Sequence, residues 1–145
     1  MFRQLLVGGG VNVINIALHA LVMTLVVGVA KRAAAGKKSH PLLLLTAIMI
    51  PTVSVLMGTH VLEVFVWALA YSLVDAAPPG ADLVYFAFVN YTTLGYGDVI
   101  PVDRWRLLGP MTAMNGVLLF GWSTAVIFEV LRRALEHTDV SKRTR

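Results

Sequence analysis

Seven consecutive residues, Thr92-Thr93-Leu94-Gly95-Tyr96-Gly97-Asp98, combine two threonine hydroxyls, two glycines spaced two apart and a terminal carboxylate. Glycine adopts positive-φ backbone at little cost. With glycine at alternate positions, an irregular strand can turn successive carbonyls toward one side. A row of carbonyl oxygens facing an axis replaces the water shell of a dehydrated potassium ion. On this reading Thr93, Leu94, Gly95, Tyr96 and Gly97 are the ion-binding segment, with K+ held at Thr93, Leu94, Gly95 and Tyr96. The Thr93 hydroxyl adds a further ring of oxygens. One such segment per chain implies four chains around a common axis, a homotetramer. The permeant K+ is then the only cofactor-like species expected.

A second group of residues is polar within apolar surroundings. Asn12, Asn15 and His19 are spaced by three and four, and so share one helical face; His60, Glu63 and Trp67 have the same spacing. Ionisable groups at membrane depth are expensive and point to function. In an antiparallel hairpin with equal rise from residues 30 and 42, Asn12 falls level with His60, and Glu63 level with Gly8-Gly9-Gly10. The expectation is a polar contact of His60 and Glu63 with the first helix or with the short helix before the glycine motif. Asn12 is the first-helix partner, and His60 is a pH-sensing group because imidazole titrates near neutrality. The plainer alternative is interhelical hydrogen bonding worth about 0.6 kcal/mol per bond. A metal reading of His19, His60 and Glu63 is weighed as the basis of an intramembrane metalloenzyme. It is set aside because the hairpin puts the two histidines at different depths and no His-Glu-x-x-His occurs. No enzyme activity is expected.

The elements that must position these residues follow from composition. Of 145 residues, 57% are hydrophobic and 14% charged, against about 25% charged in soluble domains. The deficit implies a lipid-facing surface. No cysteine is present, which excludes disulfides and thiolate metal sites. The net charge of +4 lies beside apolar runs, so it is read as membrane orientation and not as nucleic-acid binding.

The expected organisation is an all-α integral membrane protein with three transmembrane helices plus a re-entrant pore helix and filter loop. Residues 1–30 form the first transmembrane helix, too long and too basic at its end for a signal peptide. Residues 31–41 form a basic linker, and Pro41 suits the start of the next helix. Residues 42–74 form the outer helix. Asp82 is an N-cap for a short helix over 82–92, too short to cross a bilayer. The filter spans 93–98, the inner helix 107–131, and the tail 132–145 is expected to fray.

Charge sets the orientation. Nine Lys/Arg lie in the linker and tail, against Arg3, Arg104 and Arg106 elsewhere. The expectation is therefore a cell (inner) membrane protein with its N-terminus outside and its C-terminus in the cytoplasm.

The segments 42–74, 82–98 and 107–131 resemble the pore module of potassium channels, with residues 91–101 similar to the family's filter signature. The resemblance implies that Thr92, Tyr85 and Asp98 support the filter. Tyr85-Phe86 stands where many members carry a tryptophan pair, and Val89 where some carry glutamate. It also implies that Gly116 is a gating hinge, with close helix packing as the alternative. No helix carries basic residues at three-residue spacing, so no voltage sensor is expected. Partners expected are further copies of the chain, the lipid bilayer and an unidentified regulatory protein. Alternatives weighed are a nonselective cation channel and an accessory subunit of a hetero-oligomeric channel.

Overall fold

A computed structural model describes residues 1–35 and 41–143. Among them the chain is all helical, with no strand. Helix α1 spans Phe2–Ala35, α2 Pro41–Val74, α3 Leu83–Tyr91 and α4 Leu108–Arg143, and a single 3₁₀ turn, Asp103–Trp105, precedes α4. Three helical stretches are long and apolar enough to cross a membrane: Phe2–Ala30, Leu45–Val74 and Asp103–Leu135. At 1.5 Å rise per residue each exceeds the ~30 Å hydrocarbon core.

Two boundaries depart from the sequence reading. The first helix continues past residue 30 to Ala35. Ala33, Ala34 and Ala35 are the strongest helix formers, and Arg32 in the last turn suits the negative end of the helix dipole. Residues 36–40 of the expected linker lie outside the described residues. The last helix does not stop at residue 131 but runs to Arg143. Glu129 pairs with Arg132 at 2.9 Å and also with Arg133, and such i,i+3 and i,i+4 pairs support a helix. Residues 144–145 of the expected tail also lie outside the described residues.

The chain divides into two compact units. The first comprises Met1–His19 and His60–Phe120. Its core is formed by Val11 of α1, Val64, Trp67, Ala68 and Tyr71 of α2, Phe86, Ala87 and Tyr91 of α3, and Trp105 and Leu108. The second comprises Ala20–Thr59 and Gly121–Arg145. Its core takes Met23 and Val26 from α1, Ile48 and Leu56 from α2, and Val126, Val130 and Ala134 from α4. Pro51 lies inside α2. It removes one backbone donor, yet the helix continues through it.

The short helix α3 is tied down at both ends. Asp82 caps it, its carboxylate accepting from the backbone N–H of Val84 at 3.0 Å and of Tyr85 at 3.1 Å. Such a cap contributes about 1 kcal/mol. At the other end, Thr92 N–H donates to the Phe88 carbonyl, and Thr93 N–H to that of Asn90. The first unit is also fastened through its termini: Gln4 Oε1 accepts from Leu107 N–H at 2.8 Å, and Val102 N–H donates to the Ala76 carbonyl.

Candidate functional site

The segment after α3 has a backbone that alternates in handedness. Thr93, Gly95 and Gly97 have φ of 60°, 60° and 78°. Positive φ at every second residue is the condition under which neighbouring carbonyls face one way. Two of the three positions are glycine, which accepts this conformation without strain; Thr93 accepts it at a cost. The amides of Leu94 and Gly95 both turn back to the Val89 carbonyl, at 3.0 and 3.4 Å. Among the described residues no backbone donor reaches a carbonyl of Thr93, Leu94, Gly95, Tyr96 or Gly97. Residues 92–98 are exposed in the single chain.

At the outer edge of the segment, Tyr85 Oη donates to Asp98 Oδ2 at 2.7 Å. This bond holds the Asp98 carboxyl below its ordinary range and raises the Tyr85 hydroxyl above its own. Thr92 Oγ1 donates back to the Phe88 carbonyl, four residues earlier, at 2.8 Å.

At the other edge lies Tyr91, the last residue of α3, and a buried polar cluster is built around it. Tyr91 Oη donates to Glu63 Oε2 at 2.5 Å. His60 Nδ1 is 3.0 Å from the same carboxylate oxygen and 3.0 Å from Tyr91 Oη. His19 Nδ1 is 2.8 Å from Glu63 Oε1. Glu63 and His19 are fully buried, so the carboxylate has exchanged water for three polar partners, which burial requires. The Phe120 ring closes the cluster 4.5 Å from His60.

Next to it, Asn15 Nδ2 donates to the Glu63 carbonyl at 3.2 Å and to Asn115 Oδ1 at 2.9 Å. Trp67 Nε1 donates to the same Asn115 oxygen at 2.9 Å. Further along, Tyr71 Oη and Thr112 Oγ1 lie 2.5 Å apart. One face of α2 thus binds α1, α3 and α4 by hydrogen bonds.

Gly116 of α4 faces the backbone of Tyr91. A Cβ at Gly116 would lie 2.0 Å from the Tyr91 carbonyl oxygen. The close approach of α4 to the end of α3 therefore requires a glycine here, which is the packing role weighed from the sequence.

These features converge with the sequence comparison. The ion-channel family matches residues 59–133, just over half of the chain. The chain belongs to the ion-channel family. No curated protein and no solved structure matches it. The channel is an integral membrane protein, with the matched region running from the end of α2 that carries His60 and Glu63 through α3 and most of α4.

Against this geometry the sequence expectations divide. His60 and Glu63 do meet the first helix and α3, but the partner is not Asn12. Asn12 Oδ1 is buried with no hydrogen-bond partner among the described residues, whereas Asn15 and His19 take the contacts. The reason is register. The hairpin estimate ended the first helix at residue 30, but α1 runs to Ala35, which brings residues later in α1 level with Glu63. The same shift overturns the ground for separating His19 from His60, whose rings lie 5.4 Å apart. Tyr91 was missed as a cluster member because its number carries no helical periodicity with α1 or α2. Its only signal in the sequence was its place at the foot of the glycine motif. Trp67 was legible as part of the His60 and Glu63 face, but its acceptor Asn115 was not.

Proposed function

We propose that the channel conducts potassium selectively and passively, through a filter made by residues 93–97 of four copies of the chain. The observation that carries this reading is the alternation of positive φ at Thr93, Gly95 and Gly97 within Thr93-Leu94-Gly95-Tyr96-Gly97-Asp98. Carbonyls that accept no backbone hydrogen bond are the groups that would replace a potassium hydration shell. K+ would sit against the oxygens of Thr93, Leu94, Gly95 and Tyr96.

Assembly follows from the same exposure. Irregular backbone at membrane depth must be buried in protein or line water, yet residues 92–98 are uncovered in one chain and Tyr96 is 67% exposed. Further copies, arranged around the filter axis, supply the cover. Helix α3, nine residues long, is too short to span the bilayer and acts as a re-entrant pore helix. Its C-terminal dipole end lies at the start of the filter and favours a cation. Asp98, Tyr85 and Thr92 brace the filter, and Gly116 serves as the place where the inner helix yields on opening. The excess of basic residues over positions 31–38 and from Arg132 onward supports a cytoplasmic position for both.

The test is K+ and Na+ flux through the purified channel in liposomes, with barium as blocker, beside Gly95→Ala. The expected result is K+ flux far above Na+ flux, blocked by barium and lost in the variant. Within one chain alanine has room at Gly95, where the nearest atom to an added Cβ is 3.8 Å away. The loss therefore reports backbone handedness, at about 1–2 kcal/mol per residue. Equal flux of the two ions would refute the selectivity and leave a nonselective cation channel.

A further inference from the structure

The cluster at the foot of the filter segment gathers two imidazoles and a carboxylate that α1 and α2 hold face to face. The ligand atoms of His19, His60 and Glu63 all lie within 4.8 Å of one another. Tyr91 Oη sits among them, 2.5 Å from Glu63 Oε2 and 3.0 Å from His60 Nδ1. We propose that His19, His60 and Glu63, completed by Tyr91, form a binding site for a divalent transition-metal ion of the zinc class.

Two neutral imidazoles and a carboxylate are a donor set that zinc takes readily, and four donors match its tetrahedral preference. Metal–donor bonds of about 2.0–2.1 Å put tetrahedral donors roughly 3.4 Å apart. The contacts of 2.8 and 3.0 Å between each Nδ1 and the carboxylate would open by about half an ångström, and the 2.5 Å contact of Tyr91 Oη with the carboxylate by about 0.9 Å, as the ion enters between them. Side-chain rotation of that size leaves the helices where they are.

Charge points the same way. At membrane depth an uncompensated ion is costly. A divalent ion with one carboxylate and one phenolate is neutral, and the two imidazoles add no charge. Binding would release the Tyr91 proton to water and hold each imidazole neutral with its proton on Nε2, as metal sites require deprotonated ligand atoms. His60 is the least buried of the three ligands at 8% exposed, whereas His19 and Glu63 are fully buried. Phe120 walls the site beside His60, and Asn15 fixes the Glu63 backbone from behind. The ligands come from α1, α2 and α3, so one ion would cross-link three elements, two residues before the filter segment.

The test is direct metal binding to the purified, detergent-solubilised channel after removal of metal with a chelator. Zn2+ is titrated by calorimetry and the bound metal counted by elemental analysis; Co2+ is then bound in its place and its visible spectrum recorded. The expected result is one ion per chain, the intense visible bands of tetrahedral cobalt, and affinity at least tenfold weaker in His19→Gln and in His60→Gln. Glutamine keeps a hydrogen bond to Glu63, so these variants should fold, which circular dichroism verifies. Wild type that takes up no metal, or gives only the weak spectrum of octahedral cobalt, overturns the site without reference to any variant. Undiminished binding in both variants overturns it equally. Neither outcome depends on which ion the pore conducts, so this proposal and the potassium reading fail separately.

Discussion

Two regions joined through Tyr91 solve the problem of polar groups in a membrane in opposite ways. In residues 92–98 the polar atoms are backbone carbonyls, exposed and without backbone donors among the described residues. In the cluster around Glu63 they are side chains, buried and bonded to one another within a single chain. The first arrangement leaves its polar atoms exposed in the chain, and the second does not. Under the proposed function, the exposed oxygens would be available to a passing ion, whereas the paired side chains hold helices together. Tyr91 adjoins both: its side chain is in the cluster, and its carbonyl meets Gly116 one residue before the exposed segment 92–98 starts.

The largest effect that would sharpen this contrast is expected from Glu63→Ala. The substitution removes the acceptor shared by His19, His60 and Tyr91 and leaves their polar groups buried. Loss of one partner from a buried charged network costs about 3–5 kcal/mol. Thermal unfolding in detergent should show a corresponding fall. A loss near 0.6 kcal/mol, the average for membrane hydrogen bonds, would reduce the cluster to ordinary interhelical bonding.

Gly116→Ala comes next. The added Cβ would meet the Tyr91 carbonyl oxygen at 2.0 Å, backbone against backbone. No flexible side chain can give way there, so α4 or the end of α3 must shift, at about 1–3 kcal/mol. The control is Gly9→Ala, where nothing lies within 4 Å of an added Cβ. Its stability should be unchanged or raised slightly, since alanine is the better helix former. Equal stability of the two variants would show that α4 does not rest against Tyr91.

The smallest effect belongs to the exposed pair Tyr85 and Asp98, and it is a matter of pH. Their hydrogen bond lowers the Asp98 pKa and raises that of Tyr85. The lowered carboxyl contributes support that is present above the ordinary aspartate pKa of 3.8 and is lost as pH falls through the lowered value. The raised hydroxyl contributes support present below the ordinary tyrosine pKa of 10.0 and lost as pH rises above it. Ion flux should therefore be insensitive to this pair across neutral pH. In acid, wild type should lose a component of flux that Tyr85→Phe lacks from the start. The same acid profile in both proteins would remove Asp98 and Tyr85 from filter support.

Much of this was legible in the residues. The outer helix was read to within one residue at its start, because a long apolar run preceded by Pro41 leaves little choice. The short helix was equally readable: Asp82 is a strong cap, and the glycine motif ends the helix where its conformation must change. Charged residues misled. Lys31-Arg32 and Arg132-Arg133 were read as the ends of helices, yet lysine, arginine and alanine are good helix formers, and both helices pass straight through them. That error of five residues at the end of α1 displaced the register enough to select Asn12 in place of Asn15 and His19.

By itself the sequence determined what depends on local chemistry: the apolar runs long enough to cross a membrane, the cap on α3, and the glycines at alternate positions. Each is fixed by hydrophobicity or backbone freedom over a few neighbouring residues. Only the tertiary structure decided which polar residues meet. His19 and Glu63, Trp67 and Asn115, and Tyr91 and Gly116 are brought together by helix lengths and packing. Those distances accumulate over dozens of residues, so one mislaid turn exchanges every partner.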